Sequence, residues 1–164
     1  MTAPGPASAP GPASALDPAF APGPALAPGP ALARGPASAP GPASAPGPWE
    51  NVYGYRRVIR AGDRIITAGC TSTVDGVVTG ASAAEQARLA FGIAVDAVRS
   101  AGGSLAGVVR TRMYIVDRDD ADEVGRVHGE LFAEVRPVAT MVIVAGLLDP
   151  AMRVEVEVEA VVTP

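Results

Sequence analysis

The feature that most limits how this chain can fold is a proline at every sixth residue of its first 48. Residues 3–48 repeat units of the form APGPAS, and the fourth position of each unit is proline. Proline has no amide donor, so this spacing prevents a long helix or a sheet ladder. Glycine also recurs at sixth rather than third positions, which excludes collagen. We predict that residues 1–48 are a disordered tail, because alanine and proline bury too little surface to offset chain entropy.

The tail is electrically neutral, with Asp17 and Arg34 as its charged residues. This composition is typical of a solvated spacer with polyproline II character. The alternative is a PxxP ligand for an SH3-like groove, which would make the protein a tethered interaction module. Alternating Pro-Gly-Pro with almost no charge to orient it favours the spacer.

Residues 49–164 are predicted to form one compact domain, long enough for a single core. The chain has 13 basic residues, all arginine, against 17 acidic residues, and a net charge of −4. The absence of lysine excludes Schiff-base chemistry and a P-loop lysine. An acidic domain matches a phosphate backbone poorly, so we expect no nucleic-acid partner.

The chain has one cysteine and one histidine, which limits the metal and catalytic sites that it can form. Cys70 is the one cysteine and His128 the one histidine, too few for a metal ligand set. We therefore expect no metal or other cofactor. A lone cysteine suits a reducing compartment, and neither a signal peptide nor an apolar run of membrane-spanning length is present. The expected location is the cytoplasm, with no membrane partner.

The hydrophobic pattern predicts the order β-β-(β)-α-β-α-β-β. Arg56–Arg60 and Arg64–Ala68 form a hairpin, and Ser82 with Glu85 is a capping box that begins the first helix. Asp119 or Asp120 caps the second helix. The remaining strands are predicted at 108–116, 139–144 and 153–162, with a short one at Val77-Val78. This is an α+β fold: a mixed sheet with two helices on one face.

Period-two alternation assigns faces to two of the strands. One side of 108–116 carries Arg110, Arg112 and Tyr114, and the other carries Val109, Thr111, Met113 and Ile115. In the last strand, Glu155, Glu157 and Glu159 share a side. Because three neighbouring carboxylates repel each other, we predict that the two strands are adjacent and that the arginines pair with the glutamates.

Other polar residues favour structural roles. The aspartates at 117, 119, 120 and 122 lie where a helix starts, which favours capping over metal binding. His128 is predicted to be a packed structural histidine rather than a general base. Cys70 is predicted to be an inert thiol, since nothing beside it in sequence would lower its pKa.

Four segments together resemble the Rid family, also called YjgF/YER057c/UK114. They are GYRRVIRAGDRIITAG (54–69), VVRTRMYIVD (108–117), RPVATMVIV (136–144) and DPAMRVEVEVEA (149–160). The resemblance covers residues 50–162. It implies a chorismate-mutase-like α+β fold and a homotrimer that binds small molecules in clefts between subunits. It also implies hydrolysis of reactive 2-imino acids, or related imines and enamines, to keto compounds and ammonia.

The resemblance implies site residues one at a time. The catalytic glutamate that assists water falls on Glu157. The substrate-binding positions are identified by their motifs in this sequence: Tyr55, Ala68, Gly69, Gly125, Ala139, Thr140 and Met141.

The implied site departs from the family at its most important binding residue. Ala139 stands where the resemblance calls for an arginine that holds the substrate carboxylate, and Ala68 replaces a serine. The expected pocket, lined by Ala139, Thr140, Met141 and Ile143 with Tyr55 and Glu157, suits a less anionic ligand. Two functions follow: an imine or enamine deaminase, or a non-deaminating small-molecule binder on the same cleft.

Overall fold

The computed structural model describes residues 48–162, with side chains from residue 49 onward. Residues 1–47, which hold nearly all of the predicted disordered tail, and residues 163–164 lie outside the described residues. The helices are α1 (Pro48–Tyr53), α2 (Ala83–Ser100) and α3 (Ala121–Phe132). The strands are β1 (Val58–Ala61), β2 (Arg64–Thr67), β3 (Cys70–Thr71), β4 (Thr73–Val74), β5 (Val77–Val78), β6 (Val108–Ile115), β7 (Val138–Ile143) and β8 (Val154–Val161).

The main sheet has the order β1-β2-β8-β6-β7, with β3 also pairing with β8. The β6–β7 pair is parallel and the other pairs are antiparallel, so the sheet is mixed as predicted. Helices α2 and α3 pack on one face. The α+β architecture with two helices on one face is therefore confirmed.

Helix α2 begins where the capping box predicts. The Ser82 hydroxyl accepts a hydrogen bond from the Glu85 amide at 3.2 Å, and the Glu85 carboxylate accepts one from the Ser82 amide at 3.3 Å. Alanines on its inner side let the helix lie close to the sheet. Phe91 is fully buried at its centre, with ring centroids 5.3 Å from Phe132 and 5.7 Å from His128. Aromatic burial of this kind makes a large contribution to core stability.

The predicted neighbourhood of β6 and β8 is confirmed, with one correction to the faces. Arg112 pairs with Glu157 and Thr111 with Val158 in the antiparallel register. A bulge between Val108 and Arg110 shifts that register, so Val108 is buried and Val109 is 45 % exposed. The prediction that Val109 faces the core with Thr111 is therefore wrong, because a bulge adds a residue and reverses the alternation.

The start of α3 also differs in detail. The Asp117 side chain accepts from the Asp119 amide and caps the short 3₁₀ turn before the helix. Asp120 occupies the N-cap position but makes no side-chain cap. Its buried carboxylate instead forms two bonds with Arg153, at 2.6 and 3.0 Å. This pair joins the turn before α3 to the segment before β8, a contact that local sequence could not indicate.

Candidate functional site

The face of the main sheet opposite α2 and α3, which we call the open face, carries the charged side chains. Valines of β8 alternate with its three glutamates, and the valines at 154, 156 and 158 are fully buried beneath the helices. The glutamates project from the other side. Arg110 and Arg112 of β6 and Arg64 of β2 lie on the same side.

Glu157 and Glu159 are held by arginines, as the alternation predicts. Arg112 donates to Glu157 at 3.0 Å and lies 3.6 Å from Glu159. Arg64 and Arg110 are 3.0 and 3.5 Å from Glu159. The hydrogen bond to Glu157 is the main cause that raises the pKa of Arg112. The predicted catalytic glutamate is thus oriented by an arginine on the neighbouring strand.

Glu155 differs from the other two glutamates. Its prediction as an arginine partner is wrong: within residues 48–162 it forms no ion pair with an arginine, because its register partners are Tyr114 on β6 and Thr71 on β3. Burial, and next the charge of Glu157, raise the pKa of the Glu155 carboxyl. The pKa of the Tyr114 hydroxyl is raised by burial, then by the charge of Glu157, and then by a hydrogen bond with Glu157.

Gly69 provides the surface on which Glu155 lies. The register of β8 shifts by one residue between β2 and β3, from Ile66 opposite Glu159 to Cys70 opposite Val156. This shift places an irregular turn of chain at Ala68 and Gly69. A Cβ added at Gly69 would overlap the Glu155 carboxylate. Glycine at this position therefore leaves room for the carboxylate.

Ala139 and Met141 lie on the opposite side of the sheet. In the parallel register, Ala139 is next to buried Thr111 and Met141 next to buried Met113. Met141 packs against the core, whereas Ala139 is exposed at the edge strand β7. Thr140, beside Arg112, is on the open face. Within one chain, Thr140 therefore lies on the side of the sheet opposite Ala139 and Met141, because successive strand residues alternate faces. A pocket lined by all three remains a prediction for a cleft between subunits.

The predicted site residues therefore form two groups, which we call half-sites. The glutamate half-site is Gly69, Glu155 and Glu157 on the open face. The alanine half-site is Ala139 and Met141 on the helix side. Gly125 is on α3, which is also on that side, and a Cβ there would meet nothing within 4 Å. Ala68 borders Gly69, and Tyr55 lies between α1 and β1 with 42 % of its surface exposed.

His128 connects α3 to the sheet beside the alanine half-site. Its Nε2 is 2.9 Å from the Thr111 hydroxyl, and its ring contacts Phe91 and Phe132. Burial lowers the pKa of the imidazole. His128 is thus the packed histidine that the sequence predicts, and its lowered pKa disfavours the charged imidazolium.

Cys70 is buried in β3, with 4 % of its surface exposed. Burial is the main cause that raises the pKa of its thiol to about 11. Because the thiolate is the reactive form, we expect negligible labelling of the native protein by a disulfide reagent at pH 8. Labelling in urea should be complete. Fast labelling of the native protein would contradict the burial of this thiol.

The described part of the chain contains neither a metal-binding cluster nor a membrane-spanning helix. Within residues 48–162, no three His, Cys, Asp or Glu side chains are placed to hold a metal ion. No helix in that range is long and apolar enough to cross a membrane.

Comparison with known proteins identifies the class to which this fold and open face belong. A sequence profile described as Endoribonuclease L-PSP matches residues 45–162. The crystal structure of Rv2704 from Mycobacterium tuberculosis, a member of the YjgF/YER057c/UK114 family, aligns with a TM-score of 0.64. It is 39 % identical and the alignment covers 70 % of this chain and 92 % of that one. The chain therefore belongs to the YjgF/YER057c/UK114 family, as the resemblance of its motifs predicts.

Other relatives agree with this assignment. The Uncharacterized protein SCO2049 of Streptomyces coelicolor is 44 % identical over 113 residues, covering 68 % of this chain and 84 % of that protein. The YjgF gene product of E. coli is 28 % identical with a TM-score of 0.60, over 65 % of this chain and 87 % of that one. E. coli TdcF, solved with bound serine, has the same fold at 24 % identity and a TM-score of 0.61, over 66 % of this chain and 88 % of that one.

Sequence reasoning missed three features of the site. The contact between Glu155 and Gly69 depends on the register shift near Ala68, for which the sequence carries no local signal. The alternation places Tyr114 on the correct face but does not indicate that it neighbours Glu157. Parity separates Ala139 and Met141 from Thr140, but which of them shares a face with Glu157 depends on the registers of β7 and β8 with β6.

Proposed function

We propose that this protein is a hydrolytic deaminase of small reactive imines or enamines, acting in clefts between the subunits of a homotrimer. The observation that carries the proposal is the Glu157 carboxylate on the open face, held by Arg112 at 3.0 Å. A carboxylate with a fixed orientation can act as a general base toward a water molecule. The family membership of the chain supports the same reaction class.

The two half-sites support a cleft formed by two subunits. In one chain, Glu157 and Ala139 are on opposite faces of the sheet, so one subunit cannot present both to one ligand. A neighbouring subunit packed on the open face would bring its alanine half-site to the glutamate half-site. Exposed apolar residues of the sheet agree with such packing: Ile59, Val109, Val138, Val142 and Ile143. A native mass three times that of the chain would support the homotrimer, and a monomer would contradict the proposal.

The reaction follows from the groups present. Glu157 accepts a proton from water as the water oxygen bonds to the imine carbon, and the protonated Glu157 passes that proton to the imine nitrogen to give a carbinolamine. Glu157 then takes the hydroxyl proton of the carbinolamine and delivers it to the nitrogen as the C–N bond breaks, so that ammonia leaves. The products are a carbonyl compound and ammonia, so one water is consumed for each imine. Arg112 is a positioning residue in this scheme, because it acts through Glu157.

Ala139 favours a second candidate function, a non-deaminating binder of small molecules on the same cleft. An arginine can hold a substrate carboxylate through two charge-assisted hydrogen bonds, and an alanine methyl cannot. E. coli TdcF, which shares the fold, is solved with bound serine. Binding without turnover would use the same half-sites. The two candidates are separated by whether imines disappear faster in the presence of the protein.

The test uses two imines generated in situ: 2-iminobutanoate, which carries a carboxylate, and the imine of butanal, which does not. Release of the carbonyl product is followed with and without the protein. The deaminase proposal expects acceleration of at least one of them. Ala139→Arg should raise the rate on 2-iminobutanoate by about 10- to 100-fold, the value of one charged hydrogen bond or more. No acceleration of either imine by the wild type would overturn the deaminase and leave the binder.

The description Endoribonuclease names an activity on RNA, which we do not extend to this chain. The arginines of the open face at 64, 110 and 112 are within 3.6 Å of glutamates. They are therefore poorly available to neutralise phosphates. We propose that neither nucleic acid nor a membrane is a partner and, from the lone cysteine, that the protein works in the cytoplasm. Cleavage of single-stranded RNA by the purified protein would contradict this.

A further inference from the structure

The charges at the two half-sites are those of a site for a cationic ligand. We propose that Glu155 binds the protonated nitrogen of the ligand, so that the site selects small iminium or ammonium compounds that lack a carboxylate. The proposal rests on the proposed function for the location of the cleft. It adds a role for Glu155, a residue that the family resemblance does not place in the site.

The position of Glu155 is the first argument. Its carboxylate lies directly over Gly69, where any side chain at position 69 would displace it. Gly69 is one of the substrate-binding positions that the family resemblance implies. Two residues along the same strand, Glu157 is on the same face. Glu155 is therefore beside both the predicted ligand surface and the predicted general base.

The lack of an arginine beside Glu155 is the second argument. The arginines of the open face serve Glu157 and Glu159, and within the described residues none forms an ion pair with Glu155. A half-buried carboxylate without a cation is electrostatically costly. The raised pKa of Glu155 reflects that cost, and a bound cation would relieve it. Tyr114, opposite in the register, completes the polar surroundings.

The alanine half-site supplies the third argument. Ala139 is exposed and presents only a methyl group where a carboxylate-binding arginine is expected. Burial lowers the pKa of the nearby His128, which disfavours a charged imidazolium there. Arg136, just before β7, donates to the Ala133 carbonyl. A carboxylate on the ligand would therefore find no arginine at the alanine half-site. At the glutamate half-site, Glu155 would repel it.

The test measures binding with a matched pair of stable probes. Pyrrolidine hydrochloride is a cation at neutral pH and resembles a cyclic iminium, and proline has the same ring with a carboxylate added. Calorimetric or NMR titration of the full chain should show that pyrrolidinium binds about tenfold or more tightly than proline. Glu155→Gln should weaken pyrrolidinium binding by about tenfold, as expected for one charge-assisted hydrogen bond.

Glu130→Gln is the matched control. It makes the same change in net charge on the outer side of α3, where Glu130 pairs with Arg88 and is 61 % exposed. It should bind pyrrolidinium as the wild type does. Glu155→Gln is expected to fold, because it preserves shape and removes repulsion from Glu157. If its melting temperature falls, Glu155→Asp retains the charge with a shorter reach and should show an intermediate loss of binding.

The outcomes separate this proposal from the proposed function. Proline or 2-oxobutanoate binding as tightly as pyrrolidinium would overturn the selection of cations. Failure of pyrrolidinium to bind, or unchanged binding by Glu155→Gln, would overturn the role of Glu155. If pyrrolidinium binds through Glu155 but no imine is hydrolysed, the deaminase function is wrong and the charge selection stands.

Discussion

Replacing Glu157 with glutamine is expected to lower the rate of imine hydrolysis by about 10²- to 10⁴-fold, the usual contribution of a general base. Glutamine retains the size of the side chain and a carbonyl oxygen that can accept from Arg112, which is 3.0 Å from the native carboxylate. It cannot accept a proton from water. The loss should therefore appear in kcat. The measurement is steady-state release of carbonyl product on an accepted imine.

Two comparisons make this result specific. Glu130→Gln, on exposed α3 surface, should retain the wild-type rate. Glu155→Gln should act mainly on KM, since Glu155 is proposed to hold the ligand nitrogen rather than to accept the proton. An unchanged kcat in Glu157→Gln, with the oligomer intact by native mass, would show that another group acts as the base.

The second large effect concerns stability. Phe91→Ala is expected to lower the free energy of unfolding by about 3–5 kcal/mol, the range for removing a buried phenylalanine. Phe91 is fully buried, and its ring lies against Phe132 and His128, with Phe132 in an edge-to-face arrangement. The cavity would open between α2 and α3. The shift in the urea midpoint, measured with the slope of the transition, gives the change.

The control for Phe91→Ala is Leu148→Ala. Leu148 is 100 % exposed in the loop before β8, so its truncation should change stability by less than about 0.5 kcal/mol. Both variants and the wild type must be compared at one protein concentration, because unfolding of an oligomer depends on it. Equal midpoints for Phe91→Ala and Leu148→Ala would contradict the described core.

Much of the fold follows from local patterns. The capping box at Ser82 and Glu85 predicts the start of α2, which the structure places at Ala83. Alternation along 108–116 and 153–162 predicts two neighbouring strands whose arginines pair with the glutamates, as Arg112 does with Glu157. These features are predictable because each depends on residues close together in sequence. The side-chain periodicities of the helix and the strand then assign each side chain to a face.

The exceptions arise where pairing registers change. The bulge near Val109 reversed one predicted face, and the shift at Ala68 and Gly69 brought Glu155 onto the glycine. The sequence predicts Asp119 or Asp120 as the cap of α3, but Asp120 pairs with Arg153, which is 33 residues away. The pairing register depends on packing along both strands, so the residues of one short segment cannot determine it.

By itself, the sequence determined the α+β class, the neighbouring arginine and glutamate strands, the family, and an alanine at 139, where the resemblance implies an arginine. These are consequences of residue identity and of short-range periodicity. Only the tertiary structure decided that Ala139 and Glu157 face opposite sides of the sheet, and that Glu155 lies over Gly69 without an arginine. The physical reason is that strand order and register position side chains relative to distant segments, and long-range packing sets both.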